Sequence, residues 1–349
     1  TLTIAANGTL SAPRGNLAMG AAFHSNATAP TTQFIHNNGT FTFDGGNSTL
    51  HGSTTSTGTH FYNLTQDGSG YVDGYEYYTV ENKLTTKAGQ AYYINDSGKV
   101  FIGTSTVAGE FEINGSLNLG TNGQTYIEGV GGPTLPALID YNGSISGASG
   151  DTGGATAYLN LTNVNWDGSL TTGTTNIKLG GDAEFDAVTV SSGAELDLNG
   201  QRMQLSGTLH NKGILKDSAS SGGQIWTSSG LNYSSASWTD VATLNTTDYI
   251  QTATDTHYIQ AFPFKNIFMN GTGAPSFGDY GPNSSTTNLI VGSGAPVDFG
   301  QSGSAGGTST LNNITIATGG EITAGGDTLS CAGDFTTSGG LLGPSCLDL

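Results

Sequence analysis

Paired carboxylates are the first residues in this chain whose types and spacing could do chemistry. Hydrolysis of a glycosidic bond needs two carboxyl groups about 5–10 Å apart. Three sets lie close together in the sequence: Asp73 with Glu76, Asp182 with Glu184 and Asp186, and Glu195 with Asp197. Leu196 and Leu198 alternate with the last pair as the buried residues of a strand would. We therefore expect both carboxylates to face solvent. The chain is predicted not to be an enzyme, with a polysaccharide hydrolase or lyase as the alternative.

The basic residues and histidines add no second catalytic motif. A lyase that works by β-elimination uses a basic residue beside its substrate, but the chain has only nine lysines and arginines. Arg202 lies in a turn between two strand signals, where we expect it to be solvated. The histidines show neither metal-ligand spacing nor a nucleophile motif. They are His24, His36, His51, His60, His210 and His257, and surface or turn positions explain them.

An acidic stretch, DGSGYVDGYE at 67–76, offers oxygen donors for calcium. The donors are Asp67, Ser69, Asp73 and Glu76. The stretch does not fit an EF-hand, because Val72 stands where the loop requires Gly and no Glu occupies its last position. We predict no cofactor, and a structural calcium ion is the alternative in so acidic a chain.

Aromatic side chains concentrate in two stretches, residues 71–93 and 216–283. Aromatic residues on segments that project from a rigid scaffold could bind glycans. The residues that we name for this role are Tyr75, Tyr77, Trp226, Trp238 and Tyr258. The alternative is that the rings fill gaps where regular stacking is interrupted.

Two cysteines, Cys331 and Cys346, are 15 residues apart near the C-terminus. A disulfide between them would fix the last turn and would indicate an oxidising compartment or an extracellular particle. Two buried thiols are the alternative, because Cys331 occupies an apolar position of a sequence repeat.

The composition excludes several classes of protein. The chain has 349 residues, of which 55 are Gly and 10% are charged, and its net charge is -18. Residues that favour long helices are scarce, whereas β-branched residues, Gly and Asn suit short strands and tight turns. So acidic a chain has no basic patch for nucleic acid or anionic membranes. No run of 18 apolar residues is present, so we also predict no membrane insertion.

Short strands are the dominant local signal. Apolar and polar residues alternate in TFTF (40–43), VFIG (100–103), FEI (111–113), LNL (117–119), AVTV (187–190), ELDL (195–198), NITI (313–316) and EIT (321–323). This period of two indicates strands with one buried face. Asn-Gly, Asp-Gly and Gly-Gly pairs separate the strands, because Gly and Asn tolerate positive φ. We predict no helix longer than about two turns.

One passage recurs without a gap. Residues 185–215 align with residues 311–341 at an offset of 126, so that Val188 matches Ile314 and Leu209 matches Phe335. The first residues, LTIAANGTLSAPRGNL, follow the same pattern. A repeated strand–turn unit is typical of an architecture built by stacking. The chain starts within such a unit, so we expect that processing or the choice of segment removed an upstream part.

A second motif places Asn before Leu or Ile, at Asn63, Asn160, Asn266 and Asn313. We expect turn or ladder roles for these amides. Their uneven spacing indicates that some units carry insertions. The chain therefore divides into an N-terminal β-repeat (1–70), a Tyr-rich insertion (71–108), a β-repeat (109–215), an aromatic insertion (216–284) and a C-terminal β-repeat with a cap (285–349).

The passages FYNLT…TVENKLTTKAG, LTIAANGTL and VTVSSGAELDLNG resemble the strand-rich repeat regions of secreted bacterial adhesins and of bacteriophage virion appendage proteins. The resemblance covers most of residues 1–65, 100–215 and the final forty residues. It implies right-handed β-helix or stacked β-sandwich modules, frequent trimerisation, and a structural or host-binding role. It supplies no catalytic residues that could be transferred to this chain.

These observations predict an all-β protein with the character of a right-handed β-solenoid, or β-helix, that carries insertions. Tandem β-sandwich modules are the alternative. A coil of about 20–25 residues would give roughly 14 coils. The predicted function is structural: a fibre, spike or decoration protein of a virion surface, or an extracellular protein, that forms homo-oligomers, favours trimers, contacts other surface proteins and binds host glycans. A secreted microbial adhesin or filament subunit is the first alternative, and a polysaccharide-degrading β-helix enzyme is the second.

Overall fold

A computed structural model provides the structure of the chain. It describes residues 1–53, 58–95, 98–120, 124–148, 151–152, 155–229, 231–233, 242–254, 264–273, 277, 283–299, 308–323, 328–339, 341–342 and 346–348. The chain forms two compact units, Thr1–Glu184 and Phe185–Leu349, where the sequence predicts five segments. No helix in the described ranges is long and apolar enough to cross a membrane.

The protein is an all-β solenoid of about 12 turns built from stacked parallel strands, which confirms the predicted fold class. A single helical turn, α1 (Pro30–Gln33), is present in the described part of the chain. Sandwich domains are made of antiparallel sheets, so the tandem-sandwich alternative is wrong. The turns are fewer than the roughly 14 expected for coils of about 20–25 residues. Some coils are longer, as where Thr125 pairs with Leu159.

The first unit contains the strands β1 (Leu2–Ile4), β2 (Leu10–Ser11), β3 (Asn16–Met19), β4 (Phe23–Ser25), β5 (Phe34–Ile35), β6 (Thr40–Phe43), β7 (Ser48–His51), β8 (Thr59–Gln66), β9 (Val72–Tyr75), β10 (Tyr77–Thr86), β11 (Ala91–Ile94), β12 (Lys99–Ile102), β13 (Glu110–Ile113), β14 (Ser116–Leu119), β15 (Thr125–Gly129), β16 (Ala137–Tyr141), β17 (Ser144–Ser146), β18 (Asp151–Thr152), β19 (Ala155–Thr156), β20 (Leu159–Thr162), β21 (Val164–Thr171) and β22 (Ile177–Leu179).

Each coil of this unit contributes one strand to each of three parallel sheets. The first sheet is β1-β4-β7-β9-β11-β14-β17. The second sheet joins residues 59–61 of β8 and 77–80 of β10 to β12, β15, β20 and β22. The third sheet joins β3, β6, residues 63–66 of β8 and 83–86 of β10 to β13, β16 and β21. The small antiparallel pair β18–β19 stands apart from this pattern.

Apolar side chains stack in register inside the coils. On the third sheet one inward row is formed by Leu64, Leu84, Phe111, Ile139 and Trp166, all fully buried. Every second residue of each strand points inward, so parallel pairing in register places apolar residues on top of one another. Full burial of a side chain of this size stabilises the fold by about 1.5–3 kcal/mol. A thin core is therefore continuous from coil to coil.

The strands of the second unit are β23 (Ala183–Val190), β24 (Glu195–Asp197), β25 (Arg202–Leu205), β26 (Leu209–Asn211), β27 (Ile214–Lys216), β28 (Gln224–Thr227), β29 (Leu231–Tyr233), β30 (Ala242–Thr243), β31 (Asp248–Gln251), β32 (Asn266–Met269), β33 (Asn283–Ser284), β34 (Asn288–Val291), β35 (Pro296–Asp298), β36 (Thr308–Leu311), β37 (Ile314–Ile316), β38 (Glu321–Thr323), β39 (Thr328–Cys331), β40 (Phe335–Thr337), β41 (Leu341–Leu342) and β42 (Cys346–Asp348). Its longest parallel ladder runs through β25, β28, β31, β32, β34, β37 and β40.

The sequence repeat corresponds to one coil. Val188 pairs with Leu209, and Ile314 pairs with Phe335. Leu2, at the matching position of the first residues, pairs with Phe23. The advance is 21 residues in all three cases. The recurrence therefore marks coils of identical length and strand placement, and the prediction of stacking from it is confirmed.

Side-chain amides form a row on the second unit. The Nδ2 group of Asn312 donates to Oδ1 of Asn288 (3.0 Å), and Asn288 donates to Asn266 (2.9 Å). Asn266 in turn donates to Oδ1 of Asp248 (2.7 Å). Stacked Asn side chains of this kind also occur in cross-β assemblies. The expected ladder role is confirmed for Asn266, and the Asn63 amide likewise accepts a hydrogen bond from Asn82 (2.7 Å).

Residues 71–108, predicted as an insertion, are a regular part of the solenoid. They contain β9, β10, β11 and β12, which pair with their neighbours in all three sheets. Tyr78 and Tyr92 are fully buried, so two of the tyrosines fill the core. Within 216–284, β28, β31 and β32 likewise continue the main ladder, while residues 234–241 and 255–263 lie outside the described part.

The predicted disulfide between Cys331 and Cys346 is wrong. Cys331 is a free, buried thiol whose Sγ lies 3.3 Å from the carbonyl oxygen of Asn312. Cys346 pairs with Thr328 on the adjacent strand, three residues away from the position opposite Cys331. Strand spacing and rise then put the two Cα atoms about 11 Å apart, beyond the reach of a disulfide. The alternative of a buried thiol is correct for Cys331.

Candidate functional site

Tyr75 and Tyr77, both named for glycan binding, lie on different sheets. Tyr75 ends β9 of the first sheet, and Tyr77 begins β10 of the second. Glu76 between them has φ 63°, a left-handed conformation that turns the chain sharply at the corner. The two rings therefore belong to two separate outer surfaces.

A column of stacked rings occupies the outer surface of the first sheet. The ring centroids of His24 and His51 are 4.4 Å apart, and those of His51 and Tyr75 are 4.7 Å apart. Parallel pairing in register produces the stack, since His24 lies opposite His51 and His51 opposite Tyr75. Burial and, next, repulsion from His51 lower the pKa of His24. The column therefore favours uncharged imidazoles.

Asp73 holds the Tyr75 end of this column. The Tyr75 hydroxyl donates to Oδ2 of Asp73 (2.8 Å), which with partial burial raises the pKa of Tyr75. The amide of Asn95 also donates to Asp73. The carboxylate, one of the three candidate sets for catalysis, is thus engaged by two neutral donors and orients the tyrosine ring.

A groove with a volume of ≈ 390 Å³ lies on the outer surface of the second sheet. We call it the lateral groove. It is lined by His60, Thr79, Glu81, Phe101, Gly103, Thr104, Ser105, Glu128 and Val130. Four of these lie in register on successive coils, in the order His60, Thr79, Phe101 and Glu128. A volume of this size is within the range of pockets that hold small ligands.

Two imidazoles hold Glu81 at one end of the lateral groove. Nδ1 of His60 lies 3.0 Å from Oε1 of Glu81, and Nε2 of His36 lies 3.4 Å from Oε2. A carboxylate only accepts hydrogen bonds, so Nδ1 of His60 carries a proton. This hydrogen bond lowers the pKa of the Glu81 carboxyl against the opposing effect of burial, and the charge of His36 adds to the lowering. Glu81 is therefore a fixed acceptor that remains ionised into the acidic range.

A lysine holds Glu128 at the other end. Nζ of Lys99 forms an ion pair with Oε2 of Glu128. The same ammonium lies 4.7 Å from the ring centroid of Phe101 and 5.4 Å from that of Tyr126. Lys99 is not among the residues that line the groove, so the part of the Phe101 ring that faces the groove is not covered by the ammonium. The arrangement presents one aromatic surface between two oriented carboxylates.

Trp226 is half-buried on the second unit, and its Nε1 donates to Oε1 of Gln224 (2.9 Å). The other two residues named there for glycan binding, Trp238 and Tyr258, lie outside the described residues. The structure thus brings none of Tyr75, Tyr77 and Trp226 together in one site.

Two further candidate carboxylates, Glu195 and Asp197, are also engaged. Oε2 of Glu195 forms an ion pair with Nζ of Lys216 (2.7 Å). Asp197 is only 1% exposed, so the expectation that it faces solvent is wrong. Its Oδ1 accepts hydrogen bonds from the backbone N–H groups of Asn199 (2.9 Å) and Ser218 (3.0 Å). Asp197 therefore fixes a corner of the coil, a role that strand alternation does not reveal.

The stretch considered for calcium is divided between sheets. Asp67 follows β8 on the third sheet and pairs with Lys87 (3.2 Å), whereas Asp73 lies on the first sheet. In the described ranges no group of three or more His, Cys, Asp or Glu residues is arranged to hold a metal ion. A structural calcium ion stays a prediction.

Sequence reasoning did not identify His60, Glu81, Phe101 and Glu128 as one site. Phe101 and Glu128 are 27 residues apart in the sequence and become neighbours only through the register of β12 and β15. The usable signal was present in part, because each residue sits at an outward position of an alternating strand. The pairing register that aligns them had no local marker.

Comparison of the chain with protein-family models, with curated proteins and with solved structures returned no match.

Proposed function

We propose that the protein is a non-enzymatic structural component of an extracellular or virion surface, such as a fibre, spike or decoration protein, that binds glycans. The observation that supports this most is the parallel stacking itself. It presents long outer rows of Thr, Ser, Asn and aromatic side chains, and the described carboxylates proposed for catalysis are held by neighbours, as Asp73 and Glu195 are. Such a scaffold suits presentation of a binding surface better than a pair of free acids.

Self-association belongs to the same proposal. We propose a homo-oligomer, with a trimer favoured, that contacts other surface proteins of the particle or cell. The test is the mass of the purified chain in solution by light scattering. A mass of three chains supports the proposal, and a monomer across the accessible concentration range contradicts its oligomeric part.

Location can be tested separately. Antibodies raised against the chain should label the outside of intact particles or cells from the source of the sequence. Labelling of virions supports the fibre, spike or decoration form, and labelling of cell surfaces supports the adhesin or filament alternative. Signal only after lysis contradicts both.

The enzyme alternative has its own test. The chain is incubated with a panel of polysaccharides, and new reducing ends and unsaturated products are measured. Absence of both supports the non-enzymatic proposal. Cleavage that disappears in Glu195→Gln or Asp73→Asn contradicts it and identifies the carboxylate responsible.

A further inference from the structure

We infer that the lateral groove binds a neutral oligosaccharide and rejects anionic ones. This inference rests on the proposed glycan-binding function and assigns it to residues 60–130 of the first unit. Neither Tyr75 nor Trp226, named from the sequence, lines the groove.

The length of the lateral groove fits a chain-like ligand. His60, Thr79, Phe101 and Glu128 occupy successive coils in register. Three coil steps of about 4.8 Å each separate the first from the last, so the row extends for about 14 Å. Its volume of ≈ 390 Å³ and the mixed polar and apolar lining are suited to a ligand with both hydroxyl groups and apolar faces.

The charges of the lateral groove decide between neutral and anionic ligands. Among the described residues that line it, two are carboxylates, Glu81 and Glu128, and none is Lys or Arg. A carboxylate accepts hydrogen bonds and cannot donate them, so it matches sugar hydroxyl groups but repels uronate, sulfate or sialate groups. The ion pair with Lys99 and the hydrogen bond from His60 already orient both acceptors. Because each carboxylate already has a partner, a cationic ligand gains less from them than an isolated carboxylate would offer.

The apolar part of the lateral groove supplies a platform. Phe101 is half-buried at its centre, and Val130 at its rim is 39% exposed. An aromatic ring offers a flat apolar surface on which the C–H face of a pyranose can pack, and burial of that face is favourable. Thr104 and Ser105 at the edge can donate or accept hydrogen bonds with ring hydroxyls.

The experiment compares two sets of oligosaccharides by isothermal titration calorimetry with the full chain. Cello-, chito- and malto-oligosaccharides are the neutral probes, and oligoalginate and oligogalacturonate are the anionic probes. We expect binding of at least one neutral probe and of no anionic probe. Phe101→Ala and Glu128→Gln should each weaken that binding by about tenfold or more, which corresponds to about 1.4 kcal/mol. Thr104→Lys should add affinity for the anionic probes.

The controls separate the lateral groove from the rest of the surface. Tyr71→Ala removes an aromatic ring that is 39% exposed and does not line the groove, so it should leave affinity unchanged. Circular dichroism establishes that each variant is folded. Glu128→Gln preserves the shape of the site if Phe101→Ala does not fold.

The outcomes distinguish this inference from the proposed function. Preference for anionic probes, or neutral-probe binding that survives both groove substitutions, overturns the inference and leaves glycan binding in place. Binding that is lost in Tyr75→Ala but kept in Phe101→Ala transfers the site to the first sheet and also overturns it. Absence of binding to every probe overturns the inference together with the glycan part of the function, whereas the mass and labelling experiments test the structural part independently.

Discussion

Removal of a single oxygen atom should have opposite effects on stability at two buried tyrosines. The hydroxyl groups of Tyr78 and Tyr92 are 2.9 Å apart and both side chains are fully buried. Tyr92→Phe removes one partner and leaves the other hydroxyl buried without a hydrogen bond, which should destabilise the fold by about 1–3 kcal/mol. Tyr249 is equally buried, but its hydroxyl has no hydrogen-bond partner in the structure. Tyr249→Phe should therefore be neutral or stabilising by up to roughly the same amount.

The measurement is urea denaturation of both variants, followed by circular dichroism and by tryptophan fluorescence. Coincident transitions in the two signals establish that a single unfolding free energy is defined for each variant. The double variant Tyr78→Phe/Tyr92→Phe provides the control, because loss of both hydroxyls leaves no orphan and should restore most of the stability. Destabilisation in Tyr249→Phe, or a double variant less stable than Tyr92→Phe alone, would refute the reasoning.

The ionisation of these tyrosines offers a second readout. Burial raises the pKa of Tyr78, Tyr92 and Tyr249 above the ordinary value. The unfolded chain then loses phenolic protons first as the pH rises. Stability from these groups is complete below a pH of about 10 and declines above it. A spectrophotometric titration should show that the three hydroxyls ionise only as the protein unfolds.

Three further substitutions or reagents test other parts of the structure. Gly147 has φ 90°, and a Cβ there would collide with the carbonyl oxygen of Leu119. Gly147→Ala should cost more than the roughly 1–3 kcal/mol of backbone strain expected for Gly132→Ala, where φ is 70° and the space is open, as urea midpoints can show. The pKa of Glu81 is lowered in the folded state, so its stabilising contribution is present above the unfolded pKa and is lost as the pH falls through the folded one. Glu81→Gln should therefore lower Tm at neutral pH and not at strongly acidic pH. The Cys331 thiol is buried and free, so peptide mass spectrometry should detect its alkylation only after denaturation, and labelling of the folded protein would contradict its burial.

The sequence was sufficient to predict the solenoid because its signal is repeated. The alternation in TFTF corresponds to β6 (Thr40–Phe43), and EIT corresponds to β38 (Glu321–Thr323). One strand of this kind is weak information, but dozens of them with Gly and Asn turns leave few alternatives. The 21-residue coil was visible as well, because apolar positions must recur in phase if they are to stack.

Register and corner chemistry were beyond the sequence. Tyr78 and Tyr92 looked like part of a projecting aromatic segment, but the pairing of β10 and β11 turns both rings inward. Asp197 alternates with leucines and was assigned to solvent, yet backbone N–H groups at the corner hold it in the interior. Phe101 could not be joined to the lateral groove, because residues from four coils meet only after every corner has set its register.

The row of side-chain amides that ends at Asp248 has a consequence for its own orientation. An Asn side chain can be turned by half a rotation about its last bond, which exchanges donor and acceptor and leaves the shape nearly the same. A row made of Asn alone could point in either of two directions with similar energy. A carboxylate accepts and cannot donate, so Asp248 selects the direction in which Asn266, Asn288 and Asn312 all donate toward it. One anion thus removes a degeneracy along three neighbouring coils and gives the dipoles of the row a common polarity.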